Sequence, residues 1–347
     1  MLFTKIALMG PSLRQYDRNW PATYEVDPNS PGVAAVNDYL IENFIKPAEG
    51  SGSNIEKLAA KRQRFEKNGL EREIDGEYRI DEAEFAGQKV SGEWTLAKGA
   101  NPDRRILYLH GGAFTVGSAI SHRAITGNLS QKTGCAVFAP NYRLMPENDR
   151  IDSVHDCQTA YRWILGNGPA GAGSADKLAI IGDSAGGNLT LVMAQWARDN
   201  DVPAADAIVG ISALTDSTYE SPSIRNNFDS DLMLRPLVAP LLKIPRPVLA
   251  WLAWKTLKIR PKDARVSPVR GNLSDLPPTL LQASTTEMIY DDSVRYVAKA
   301  RAQGSDATLQ SWSNLCHVWH IFDRMLPEAH QALDEIAVFL ANNGVKG

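Results

Sequence analysis

Residues 180–187 read Ile-Ile-Gly-Asp-Ser-Ala-Gly-Gly, and Gly182 to Gly186 match the pattern G-x-S-x-G, which occurs once in the chain. A serine held exposed above a sheet needs a very sharp turn from strand to helix. The residues two before and two after it are then crowded by neighbouring backbone, so a Cβ collides and glycine is required. The flanks agree with such a turn: LAII at 178–181 is apolar enough for a buried strand, and NLTLVMAQWA at 188–197 has helical spacing. A helix N-terminus also places positive partial charge where an anion forms during attack on a carbonyl. Ser184 is the candidate nucleophile, and Asp183 is read as a structural neighbour. A small-residue turn without chemistry satisfies the same five letters, so the surroundings have to decide.

Outward from this turn, short apolar runs lie at 105–109, 135–139, 178–181, 207–211 and 279–283, with helical patterns at 121–132, 152–165 and 185–199 between most of them. Strands alternating with helices predict a mostly parallel sheet covered on both faces, whose functional residues sit at the strands' carboxyl ends. From 77 to 97 polar and apolar residues alternate, which predicts a β-hairpin around Ala86-Gly87. Helices are expected at 32–46 and 54–67, and the glycine-rich stretches 50–53 and 166–173 read as loops. The stretch 217–268 interrupts the alternation with an apolar helix carrying Val248, Leu249, Trp251, Leu252 and Trp254. It is read as a cap over the functional edge, with ordinary core packing as the alternative. The expected division is 1–75, an N-terminal helical part of the cap; 76–216, the first part of the core; 217–268, the cap insertion; and 269–347, the second part of the core.

The totals exclude several classes. With 347 residues, 44% hydrophobic and 22% charged, the chain can bury a large core. With a net charge of −3, nothing favours nucleic acid or an anionic membrane surface as a partner, and no nucleic acid is expected. The three cysteines, Cys135, Cys157 and Cys316, are odd in number and scattered, which suits reduced thiols and a cytoplasmic location. The N-terminal apolar stretch is broken by Lys5 and ends at Gly10-Pro11, too short for a signal peptide, and no run approaches the ~20 apolar residues of a membrane span. No stable membrane insertion is expected. A monomer or a homodimer fits equally.

Directly after the strand RILYL comes His110-Gly111-Gly112-Ala113-Phe114. Backbone amides aimed at the former carbonyl oxygen stabilise a tetrahedral intermediate, and glycines let the main chain approach it. Gly111, Gly112 and Ala113, with Ala185 after the nucleophile, are the candidate oxyanion-hole residues. His110 is read as shaping the loop.

With HGGAF at 110–114, GDSAGG at 182–187 and NYRLMPE at 141–147, the sequence resembles the hormone-sensitive lipase family of α/β-hydrolases over roughly residues 75–345. The resemblance implies an α/β-hydrolase fold with a helical cap, a serine carboxylesterase and no cofactor or metal. It departs from the family at Ala113, where a third glycine is common, and at Asn141, where aspartate is usual.

In such hydrolases the chain order is nucleophile, acid, base. Three histidines follow Ser184. His330 lies on an amphipathic helix, where a solvated imidazole is unremarkable. His317 follows the strand-like TLQSW in a loop, and His320 is one helical turn further on. The family resemblance places the base at the first histidine of HVWH, His317. A metal pair at His317 and His320 lacks a further ligand nearby. For the acid, Glu287, Asp291 and Asp292 compete after the strand TLLQA. Both aspartates suit a helix N-terminus, whereas Glu287 holds the acidic position of the family's D/E-x-L-x-D-D pattern. Phe114, Trp251 and Trp254 are candidate substrate-binding residues. The expected reaction is hydrolysis of short- to medium-chain acyl esters. A lactonase or amidase would use the same groups, and a non-catalytic ligand-binding protein on this fold is the reading from another class.

Overall fold

The computed structural model describes residues 7–46 and 54–347, so the expected loop at 50–53 lies outside the described residues. The N-terminal part carries helices α1 (Pro31–Leu40) and α2 (Asn54–Leu70). The hairpin is formed by β1 (Gly76–Phe85) and β2 (Gln88–Ala97), turning at Ala86 and Gly87, both with positive φ. The core continues as β3 (Asn101–Leu109), α3 (Arg123–Thr133), β4 (Cys135–Pro140), α4 (Arg150–Gly166), β5 (Lys177–Asp183), α5 (Ala185–Asp199) and β6 (Ala207–Ile211). After β6 the chain makes a short helical turn at Ser223–Asn226, then α6 (Arg235–Leu242) and α7 (Arg246–Leu257). It closes with β7 (Thr279–Ser284), α8 (Tyr290–Ala302), β8 (Ala307–Trp312) and α9 (Pro327–Asn342).

The eight strands form one sheet in the order β1-β2-β4-β3-β5-β6-β7-β8. Every pairing is parallel except those of β2 with β1 and β4. The continuous apolar strands follow from this. Leu107, Leu109, Phe138 and Ile180 face a core completed by α4 and α5, whereas Ile106, Tyr108, Val137 and Ile181 face one completed by α3 and α9. Each is fully or almost fully buried, and truncating one such side chain to alanine costs about 2–5 kcal/mol.

One local reading changes. The glycine-rich stretch 166–173 holds a two-residue hairpin, Asn167–Gly168 against Gly171–Ala172, which the positive φ of Gly171 lets close tightly. In α7, Leu249 and Ala250 are buried, whereas Val248, Trp251, Leu252 and Trp254 are exposed, which sets aside core packing for those four.

Candidate active site

Ser184 sits between β5 and α5 with φ 52° and ψ −113°, the strained geometry of a tight strand-to-helix turn. The glycine requirement is literal. A Cβ on Gly182 would lie 2.5 Å from the Gly186 carbonyl oxygen, and one on Gly186 would lie 1.8 Å from the Leu109 carbonyl oxygen. The turn is pinned by the Ser184 amide donating to Ile211 O at 2.8 Å.

The loop after β8 brings His317 to this turn. Its Nε2 is 2.9 Å from Ser184 Oγ, and its Nδ1 is 2.7 Å from Glu287 Oε2. The other carboxylate oxygen of Glu287 accepts from the Ser284 amide at 2.7 Å and from Ser212 Oγ at 2.8 Å. Ser212 in turn accepts from the Val318 amide at 3.1 Å, so one hydroxyl at the end of β6 ties the acid to the loop carrying the imidazole. Burial disfavours the imidazolium, but the hydrogen bond and charge of Glu287, with Asp231 and Asp183 beyond it, outweigh that and raise the His317 pKa.

The other candidates go elsewhere. His320 Nε2 is 2.7 Å from Gln282 Oε1, and burial pushes its pKa down to about 3. Both ring nitrogens of His317 are engaged, by Ser184 and by Glu287. His330 is exposed on α9. Asp291 accepts from the Ser223 amide at 2.7 Å. Asp292 accepts from the amides of Thr215 and Asp216 at 2.8 and 2.9 Å, and burial beside Asp216 raises it to about 7. Both aspartates fasten the segment leaving β6; neither meets His317.

In the loop after β3, Ala113 and Phe114 both have positive φ, as does Gly112. The Gly111 amide donates to Asp183 Oδ1 at 2.9 Å. It is therefore not free for an oxyanion, which corrects the expectation for that residue. Among the described residues, the amides of Gly112, Ala113 and Ala185 have no protein acceptor. Ala185 is the first residue of α5, where amides lack intrahelical partners. Asp183 also accepts from Tyr108 at 2.6 Å and lies 3.4 Å from His122 Nε2. Burial opposes its charge, yet His122 holds its pKa below the usual value. This buried group joins the turn carrying Ser184 to the loop after β3. His110 stacks on Tyr142 at 4.2 Å, and burial and His122 drive its pKa down to about 3; it is a neutral support.

Phe114 is buried in the core beneath the Arg150 guanidinium, 3.8 Å from the ring centroid. Trp251 and Trp254 expose 44% and 36% of their surface and carry the Lys255 ammonium over them at 5.9 and 5.2 Å.

A family model described as alpha/beta hydrolase fold matches residues 106–321. An acetyl-hydrolase of Streptomyces hygroscopicus is 33% identical over 238 residues, 68% of this chain and 75% of that protein. An esterase of Acinetobacter venetianus is 32% identical, covering 72% of this chain and 78% of its own. The crystal structure of an esterase from the bacterial hormone-sensitive lipase family superposes with a TM-score of 0.76 at 29% identity, over 91% of this chain and 99% of that one. The chain belongs to the α/β-hydrolase fold family and, within it, to the hormone-sensitive lipase family. It is a carboxylic ester hydrolase.

Proposed function

We propose that the chain hydrolyses short- to medium-chain acyl esters through an acyl-enzyme on Ser184, with His317 as general base and acid and Glu287 as its orienting carboxylate. One observation carries the reading: a single imidazole lies within hydrogen-bond reach of both the Ser184 hydroxyl and the Glu287 carboxylate. His317 Nε2 takes the hydroxyl proton as Oγ bonds to the ester carbon, and the carbonyl electrons move onto oxygen. The amides of Gly112, Ala113 and Ala185 receive that oxyanion, each donor being worth about 10²–10³ in kcat. Collapse breaks the bond to the alcohol oxygen, which leaves with the proton from His317. Water repeats the sequence, releasing the acid and restoring Ser184. Residues 7–46 and 54–75 with 217–268 serve as the cap. Two contacts support this role: Arg62 of α2 donates to Thr115 O at 2.8 Å beside the oxyanion loop, and Asn227 donates to the carbonyls of Thr285 and Glu287.

The acyl preference draws support from relatives named for acetyl groups, among them an ethyl acetate hydrolase of Pseudomonas putida that is 29% identical. Ser184→Ala is expected to lower kcat by about 10⁶; near-normal turnover rejects the nucleophile. A p-nitrophenyl ester series peaking at long chains rejects the acyl preference.

A further inference from the structure

We propose that α6 and α7 form a docking surface for an anionic phospholipid bilayer, independent of the catalytic assignment. From 232 to 262 the sequence holds seven cations, Arg235, Lys243, Arg246, Lys255, Lys258, Arg260 and Lys262, and no acidic residue. The whole chain has 37 cationic and 40 acidic residues, so the remainder carries a net charge of −3 − 7 = −10. The overall charge therefore conceals a strongly basic segment. Asp149 pairs with Lys258 at 2.6 Å and Asp229 with Arg235 at 3.6 Å, and Lys243, Arg246, Lys255 and Arg260 add further positive charge along the segment.

The same segment concentrates exposed apolar surface. Leu237, Val248, Trp251, Leu252 and Trp254 are five of the twelve large exposed hydrophobic residues among those described. Val248, Trp251, Leu252 and Lys255 follow i, i+3, i+4, i+7 spacing, so the outward face of α7 is itself apolar, ending in a lysine. The inner face seats Leu249 and Ala250, the latter packed with Leu8 and Met9. A helix that is apolar on its solvent side marks an interaction surface. Exposed tryptophans with flanking lysines and arginines are the composition that settles at a lipid headgroup boundary.

Geometry favours lying on the bilayer over crossing it. The two helices meet at 120°. The longer has 12 residues, about 18 Å of helix against a hydrocarbon core of about 30 Å. Charge argues against a two-fold symmetric pairing through this face, because the same patch would meet itself with like charges opposed. Anionic headgroups satisfy the cations while the tryptophans and aliphatics enter the interface.

The test is co-sedimentation of the full chain with vesicles of phosphatidylcholine alone and of phosphatidylcholine with phosphatidylglycerol. The proposal expects binding to the second that weakens with added salt, and little to the first. Each neutralised cation should weaken the partition about fivefold, so Lys243→Gln with Lys255→Gln loses about 25-fold. Val248→Ser with Leu252→Ser should also weaken it in a chain whose circular dichroism melting shows the fold retained. Failure to bind either vesicle overturns the proposal. So does a concentration-dependent dimer that these variants dissociate, because a second copy then covers the face. Retention on DNA-cellulose undiminished by the two serine substitutions, with no vesicle binding, assigns the charge to a polyanion and also overturns it.

Discussion

Glu287→Gln preserves shape and removes one charge, and its consequence follows from the three donors around the carboxylate. Oε1 receives the Ser284 amide at 2.7 Å and the Ser212 hydroxyl at 2.8 Å, and Oε2 receives His317 Nδ1 at 2.7 Å. A glutamine has one carbonyl oxygen and one NH2. If the NH2 occupied the Oε1 position it would confront the Ser284 N–H, a backbone donor with no freedom to turn. The carbonyl therefore takes that position and the NH2 faces His317 Nδ1. The imidazole must then accept at Nδ1 and carry its proton on Nε2, toward Ser184 Oγ, where it no longer serves as a base. An acid-to-amide change that enforces the wrong tautomer costs about 10⁴ in kcat in serine proteases, equivalent to about 5 kcal/mol of barrier. The assay is steady-state kcat on a p-nitrophenyl ester, with circular dichroism melting to confirm that the fold is retained. A folded variant within tenfold of the unsubstituted enzyme would mean that Glu287 does not set the tautomer of His317.

Further outcomes follow from the same geometry. Because a base works only when neutral and the His317 pKa is raised, kcat/KM should fall on acidification with a midpoint above the ordinary ~6.5 of imidazole; Glu287→Gln should move that midpoint to lower pH, and an unmoved midpoint contradicts the pairing. Gly186→Ala should lose at least about 10² in kcat, since its Cβ would penetrate the Leu109 carbonyl and a displacement of about 1 Å at the nucleophile has that effect; Gly166→Ala, whose Cβ meets nothing within 4 Å, is the control. His110 and His320, both near 3 when folded, take up protons near 6.5 only when unfolded. Stability should therefore decline as pH falls from about 6.5 toward 3, by up to about 2.7 kcal/mol per pH unit for the two together. Chemical denaturation midpoints measured at pH 7 and pH 5 check this, and a higher midpoint at pH 5 counts against two neutral buried imidazoles.

The parts of the site that were legible are those where sterics or chain order restrict the residue type. Gly182 and Gly186 are dictated by atoms a Cβ would strike, and the strands were readable because a sheet buried on both faces needs unbroken apolar runs. His317 was separable from His320 by its place in the loop directly after the strand-like TLQSW and by the resemblance of HVWH to the family's motif. Ser212, His122 and Asp231 escaped notice because each acts across the sheet or from the segment after it, with no local pattern. Asp231 accepts from the Met288 amide at 2.8 Å, next to Glu287, and only the folded chain brings those residues together. For Ser212 a signal existed: it directly follows β6, at the carboxyl end of the strand beside β5, which leads into Ser184. The engagement of Gly111 is not legible in the sequence, because the glycine pattern shows that backbone comes close, not which amide a buried carboxylate takes. In α7, apolar composition alone does not distinguish a helix that packs inward from one that faces solvent.

The most direct measurement is peptide mapping by mass spectrometry after reaction with an organophosphate ester. The account predicts one phosphoryl adduct per chain, located on Ser184, with loss of esterase activity in proportion to labelling and no labelling of the Ser184→Ala variant. Full inactivation with the adduct on a different residue, or with residue 184 unmodified, would contradict it.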